Sequence, residues 1–360
     1  MIRPMLLLAK IQHDARTLEK LRGLGLEPGA IVSDGHALWE KIGIGERGRS
    51  ILSESLASGW IDREMEACER LGVHLITIYD PLYPKSLLDL RDAPLLLYAL
   101  GERLSLRQRV VGIVGTRTCS SYATGVARDL GRMSAERGWS VVSGGARGID
   151  AASHAGCIGA GGVTAAVLGT GIDVIYPPEH VELFERIKSN GALYSEFPLG
   201  SKGEAWHFPK RNRIIAGLSF RTVVVEAPEK SGALLTANRA ADTSREVWVV
   251  PGRITDARAR GSNKLIFDGA FPLIDFDTFF EGFGRHKSLF KDDPEDGEHT
   301  PLNDSEKVLI ALLTNSGDRT IDNLASEAKM SAAEVFRVIS MLSLRGLVYS
   351  SGTGRYRMAD

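Results

Sequence analysis

The feature that most constrains this chain is a pattern between Arg109 and about Ile274, where short, continuous apolar runs alternate with stretches of helical character. The runs are Val110-Val111-Gly112-Ile113-Val114, Ser140-Val141-Val142, Val163-Thr164-Ala165-Ala166-Val167-Leu168, Ala192-Leu193-Tyr194, Thr222-Val223-Val224-Val225 and Val247-Trp248-Val249-Val250. An unbroken apolar run suits a strand covered on both faces rather than one with a wet side. Strands separated by helices imply a parallel, doubly wound sheet. The predicted fold class is therefore α/β. In such sheets ligands bind at the carboxyl ends of the strands.

Those strand ends carry chemistry. The first run ends Gly115-Thr116-Arg117, the second Ser143-Gly144-Gly145-Ala146-Arg147-Gly148-Ile149-Asp150, and the third Gly169-Thr170-Gly171. The fifth leads through Glu226-Ala227 to Ser231-Gly232-Ala233-Leu234-Leu235-Thr236-Ala237. Glycines let backbone N–H groups approach an anion, helix N-termini add positive dipole ends, and Arg offers a bidentate phosphate fork. Any one such loop is as well explained by a tight turn. Several on one sheet edge make a phosphate-binding surface. No GxGxxG follows the first strand and no GxxxxGK[ST] occurs, which disfavours NAD or ATP in the usual mode. No cofactor is expected.

Residues 206–219 are the most informative segment. Trp206, His207 and Phe208 precede Lys210, Arg211 and Arg213, three rings before three cations within eight residues. Single-stranded nucleic acid needs this combination, because bases stack on rings while phosphates pair with cations. The competing reading packs Trp206 and Phe208 into the core and leaves Lys210 solvated. Catalytic groupings are weaker. Asp150 and His154 lie four apart, as an acid/base pair or as a capping Asp and a satisfied histidine. Glu226 is a candidate carboxylate, or a loop-ordering partner of Arg117 or Arg147. No Ser-His-Asp set or metal cluster stands out.

With 44 basic against 45 acidic side chains the net charge is −1, so affinity for nucleic acid must come from a local basic cluster. Cys68, Cys119 and Cys157 are far apart and show no CxxC spacing, which predicts reduced thiols in a cytoplasmic protein. The apolar run within Met1–Ala9 is too short for a signal sequence or a membrane span. Residues 1–80 read as short helices punctuated by glycine, and 81–108 as a connector marked by Pro81, Pro84 and Pro94. The sheet domain spans 109–284. An acidic linker, expected to be flexible, follows over 285–302. Residues 303–360 predict helices at 305–313, 321–328 and 331–345, then a hairpin around Ser351-Gly352-Thr353-Gly354, which together make a winged helix.

These motifs resemble the DNA-processing protein A (DprA/Smf) family. Gly115-Thr116-Arg117 is similar to its G-S-R, Ser143 to Asp150 with His154 to its S-G-x-A-x-G-I-D…H, and Phe208 to Leu218 to its F-P-x-R-N-R-I-I-A-G-L. Glu226-Ala227, Ser231 to Ala237 and Val250-Pro251-Gly252 complete the set. The resemblance implies an extended Rossmann-like sheet, doubly wound and mostly parallel, between a SAM-like N-terminal domain and a winged helix. It further implies binding of single-stranded DNA during natural transformation, loading of RecA recombinase, and a homodimer formed through the Rossmann-like domain. On that resemblance Thr116 and Arg117 hold phosphate, Ser143, Gly144, Gly145 and Gly148 form a second cradle, Phe208 meets a base, and Arg211 and Arg213 hold the backbone. Arg147, Lys210, Asn212 and Ser231 complete the expected DNA-binding set. The family's Lys before the aromatic-Pro step is replaced by Glu204-Ala205-Trp206, leaving Lys202 or Lys210 to supply the charge.

Two other functions compete. A related Rossmann-like family hydrolyses the N-glycosidic bond of nucleoside monophosphates, but its P-G-G-x-G-T-x-x-E loop is missing here. A winged-helix regulator of duplex DNA would want a basic recognition helix. The third C-terminal helix instead mixes Glu334, Arg337 and Arg345 with apolar neighbours, and residues 303–360 hold seven basic and seven acidic side chains.

Overall fold

The computed structural model describes residues 1–281, 303–316, 319–344, 347–352 and 355–358. The expected linker over 285–302, Arg345 and the hairpin residues 353–354 lie outside the described residues. The chain divides into two compact units, Met1–Ile274 and Asp275–Asp360.

The first unit begins with helices α1 (Ile2–Lys10), α2 (Ala15–Gly23), α3 (Ala30–Ser33), α4 (Gly35–Lys41), α5 (Glu46–Ala57) and α6 (Trp60–Arg70). α1 carries Arg3 and Lys10 near its ends and is apolar between them, so the stretch from Pro4 to Ala9 is buried. Asp14 starts α2 by accepting from the Arg16 N–H at 3.1 Å. The helices share one hydrophobic core with one face of the sheet, where Met5, Leu7 and Trp39 join a cluster that includes Leu168, Phe184 and Leu193.

The sheet has nine strands. In chain order they are β1 (His74–Thr77), β2 (Leu96–Leu100), β3 (Val110–Val114), β4 (Ser140–Ser143), β5 (Thr164–Leu168), β6 (Ala192–Ser195), β7 (Arg221–Val224), β8 (Glu246–Val249) and β9 (Phe271–Pro272). Their spatial order is β1-β2-β6-β5-β4-β3-β7-β8-β9. From β6 to β9 all pairings are parallel, and the central strands β3 to β7 are buried along their whole length, as their unbroken apolar runs require. Helices α7 (Ser121–Glu136), α8 (Ile149–Gly159), α9 (Val181–Asn190), α10 (His207–Leu218), α11 (Gly232–Asp242) and α12 (Arg260–Phe267) make the connections.

Three strands depart from the sequence reading. β1 lies within the stretch read as all-helical, β2 within the connector, and the two-residue β9 was not among the apolar runs; β2 runs antiparallel to both β1 and β6. Pro81, Pro84 and Pro94 each restrict only their own neighbourhood, which leaves Leu96–Leu100 free to enter the ladder.

The second unit contains α13 (Phe276–Glu281), α14 (Asp304–Ser316), β10 (Arg319–Thr320), α15 (Ile321–Ala328), α16 (Ala332–Leu344), β11 (Val348–Gly352) and β12 (Arg355–Met358). The small sheet is ordered β10-β12-β11 and antiparallel, the arrangement of a winged helix. Ser331 caps α16 through the Glu334 N–H at 3.2 Å. Leu309, Leu324, Val335, Ile339 and Val348 form its core. The outer face of α16 exposes Phe336 and Met341 beside Arg337.

Candidate nucleic-acid interface

The strand order reverses at β3. β4, β5 and β6 lie to one side of it, β7, β8 and β9 to the other. Loops leaving β3 and β7 part at such a point and open a crevice. A cleft of about 300 Å³ lies there, between Gly115–Arg117, Pro228–Gly232 and the first turns of α10. A recess of about 20 Å³ adjoins it on the far side of Phe208 and shares Arg117, Ala146, Phe208 and Arg211 with the cleft.

Residues 206–219, the segment of rings and cations, fold into α10. Pro209 sits in the first turn, where its missing N–H removes no helical bond. Helical spacing then splits the basic run between two faces. Phe208, Arg211, Asn212 and Ile215 face the cleft. Lys210 and Arg213 lie on the other side. Arg213 is 2% exposed and paired with Glu196, which is equally buried, with Asp92 at 3.6 Å from its Nε. Lys210 donates to the Gln12 carbonyl at 2.8 Å, and burial holds its pKa down. Neither side chain reaches the cleft. The expectation that Arg213 and Lys210 face phosphate treated the run as linear, and the helix makes it two-sided. Trp206 stays on the surface with Nε1 donating to Glu204 at 2.6 Å, and Lys202 is exposed.

The second cradle also differs from expectation. Ser143 is fully buried and donates to the Ile113 carbonyl at 2.6 Å. The N–H groups of Gly144 and Ala146 donate to Asp150 Oδ2 at 3.1 and 3.3 Å. The chain's own carboxylate thus occupies the loop amides that an external phosphate was expected to meet. Burial raises the pKa of Asp150, and Arg211 beside it acts in the opposite direction. Arg211 donates to the carbonyls of Gly144, at 2.8 Å, and Val167. Burial lowers its pKa to about 10. Arg211 is therefore a fixed cation in the cleft floor. Gly145 and Gly148 hold positive φ, at 67° and 76°. A Cβ on Gly148 would lie 2.5 Å from the Thr116 carbonyl, so the two phosphate-type loops touch there.

The exposed surface of the site comes from fewer residues. Phe208 lies against Gly169, with the guanidinium carbons of Arg117 and Arg211 at 5.4 and 6.0 Å from its ring centre, within cation–π range. Arg117 is exposed, and Thr116 half-buried beside it. Asn212 fastens α10 to the next loop by donating to the Gly232 carbonyl at 3.1 Å, while Ser231 caps α11. Arg147 is exposed and paired with Glu179, whose pKa falls to about 2 through that bond. Lys230 and Tyr176, which line the cleft and the recess, were missed by sequence reasoning. A Lys directly before the Ser cap of a helix was a signal for Lys230; Tyr176 arrives only through the fold of its loop. Glu226 pairs with neither Arg117 nor Arg147. It accepts from Ser120 N and Oγ at 2.8 and 2.7 Å and thereby orders the loop after β3. His154 is buried against Thr164 Oγ1 at 2.7 Å, with a pKa lowered to about 3 by burial, and is not paired with Asp150.

Comparison with known proteins identifies the fold and the family. DNA processing protein DprA of Bacillus subtilis is 40% identical over 222 residues, covering 61% of this chain and 75% of that protein. The structure of DNA processing protein A from Streptococcus pneumoniae superposes with a TM-score of 0.67 at 31% identity, covering 79% of this chain and 99% of that one. That of DNA processing protein A from Helicobacter pylori, described for its unique single-stranded DNA binding mode, gives 0.53 at 28% identity over 58% and 94%. Residues 74–284 match the family model for DNA recombination-mediator protein A, and the chain belongs to that family.

Proposed function

We propose that the cleft binds single-stranded DNA, with one base on Phe208 and the flanking phosphates on Arg117 and Lys230. The observation that carries this reading is the Phe208 ring lining the cleft with two guanidinium groups within cation–π range of it. A ring so placed can stack on a base only if the base face is free, which duplex DNA does not offer. The Helicobacter pylori relative is described with a single-stranded DNA binding mode, which supports the same ligand here. The family is one of recombination mediators rather than enzymes, which sets the hydrolase reading aside.

The test is fluorescence anisotropy with labelled single- and double-stranded oligonucleotides of equal length across a salt series. Preference for the single strand, weakening as salt rises and lost on Phe208→Ala, is the expected result. Equal or stronger duplex binding would move the site to the winged helix. Binding to neither would overturn the reading.

Three further steps complete the proposal. The bound strand is handed to RecA recombinase during natural transformation, in keeping with a mediator of recombination. The protein acts as a homodimer through the Rossmann-like unit, where Ile254 and Phe267 are 88% and 90% exposed and invite a second apolar surface. It works in the cytoplasm, consistent with three unpaired cysteines, two of them buried.

A further inference from the structure

The recess beyond Phe208 has features that the cleft reading leaves unused. Its floor is the Leu168-Gly169-Thr170 turn after β5, and its far wall is Tyr176. Tyr176 is 43% exposed, and its ring lies 5.6 Å from that of Phe208 at an angle of 48°. Two rings splayed in this way form an open V, not a closed stack. At about 20 Å³ the recess holds about one water in its present form. Arg147, on the loop after β4, also lines it and is turned onto Glu179. Both side chains are about half exposed, so their ion pair contributes little stability and opens at small cost. The turn that carries Glu179 is fastened to the same loop independently, since His180 Nδ1 lies 2.9 Å from the Gly145 carbonyl. Arg147 can therefore leave Glu179 without the turn coming loose.

We propose that this recess is a second base site, between Phe208 and Tyr176, closed in the free protein by the Arg147–Glu179 ion pair and opened when a DNA phosphate takes Arg147 from Glu179. The proposal rests on the cleft reading above and extends the path of the strand by one nucleotide. It makes Tyr176 a stacking platform and Glu179 a competitor for the phosphate.

The exchange has a distinctive salt signature. A phosphate neutralised by Arg releases condensed cation from the DNA, but the Arg147–Glu179 pair that must first open is itself weakened as salt rises, so part of the salt dependence of the Arg147 contact is offset. With Glu179→Gln the compensation is gone. Binding of a fluorescein-labelled oligothymidylate should become several-fold tighter at low salt, and the slope of log K against log salt should steepen, by up to about 0.7. Arg147→Ala in the same background should abolish both gains. Tyr176→Ala should weaken binding by roughly five- to hundredfold at an unchanged melting temperature, with Tyr176→Phe close to wild type.

Unchanged or weaker binding by Glu179→Gln overturns the gate. Unchanged binding by Tyr176→Ala overturns the base site. Phe208→Ala and Arg117→Ala serve as references. If they impair binding while the Tyr176 and Glu179 variants do not, the second site alone fails; if none of the four matters, the cleft reading fails with it.

Discussion

Two arginines that the sequence reading set alike against the DNA backbone should behave as opposites, and the structure sets the size of each effect. Arg213 is 2% exposed and its partner Glu196 equally buried. Arg213→Met keeps most of the side-chain volume but leaves the carboxylate without its cation, a change that removes about 3–5 kcal/mol in buried pairs. Lys210 Nζ stands 3.9 Å from Glu196 Oε2 and takes over part of the charge, which places the expected loss near the lower end, about 3 kcal/mol. For a unit of this size that corresponds to a melting point lowered by about 6–12 °C. Arg117 is exposed at the cleft, so Arg117→Ala should change stability by no more than about 0.5 kcal/mol. It should flatten the salt slope of single-strand binding by about 0.7, the share of one phosphate contact. Thermal melts monitored by circular dichroism give the first quantity. Anisotropy titrations well below the lower melting point, at several salt concentrations, give the second. The reasoning is refuted if Arg213→Met melts like the wild type yet flattens the salt slope, or if Arg117→Ala lowers the melting point and leaves the slope intact.

Three further outcomes follow from the same geometry. Gly148→Ala forces a Cβ to within 2.5 Å of the Thr116 carbonyl at a φ of +76°, and should destabilise by about 2 kcal/mol or more while displacing Arg117 and weakening DNA binding; a soluble variant with wild-type melting and binding would contradict this. His154 has its folded pKa lowered to about 3, so the unfolded chain binds the extra proton below about pH 6.5 and stability falls as pH falls from there toward 3. Between pH 7 and 5 this group should remove about 2 kcal/mol, read as the difference in urea-unfolding free energy between wild type and His154→Leu; parallel pH profiles would exclude it. Arg211→Lys should lower both the melting point and DNA affinity, because one ammonium nitrogen cannot keep the Nη1 bonds to the Gly144 and Val167 carbonyls together with the Nε bond to Asn212 Oδ1 at 3.1 Å, and full retention of both would show that the second nitrogen is dispensable.

Six of the nine strands were readable because their burial is expressed in consecutive residues. β3 coincides with its apolar run, and β4 to β8 agree within a residue or two at each end, because strands covered on both faces leave no polar position to blur the pattern. β1, β2 and β9 escaped for other reasons. β1 begins on exposed His74 and half-buried Leu75, and β9 is two exposed residues, so neither shows an apolar run. β2 lies in the apolar run 95–100, but Pro94 directly before it marks a connector, and it enters the sheet by pairing with a partner distant in sequence, as Leu100 does with Leu193 of β6. In the second unit, the Ser331 cap and the apolar spacing of α15 and α16 were local signals, and those helices fall close to where the sequence put them.

The site divides along a similar line. By itself the sequence determined the classes of side chain available at the carboxyl edge of a parallel sheet, their order along the chain, and the phenylalanine and arginine that line the cleft. These follow from local rules: the period of the strands, the glycines of the turns, and the run of rings and cations. Only the tertiary structure decided which of those groups face outward. It turned Arg213 and Lys210 inward because helical rotation separates neighbours by about 100°. It filled the Gly144–Ala146 amides with Asp150 because a buried loop must satisfy its own donors. It brought Tyr176 against Phe208, 32 residues away in sequence, through the packing of two loops. The kind of residue is a local property of the chain, whereas its exposure and its partner depend on contacts between segments far apart in it.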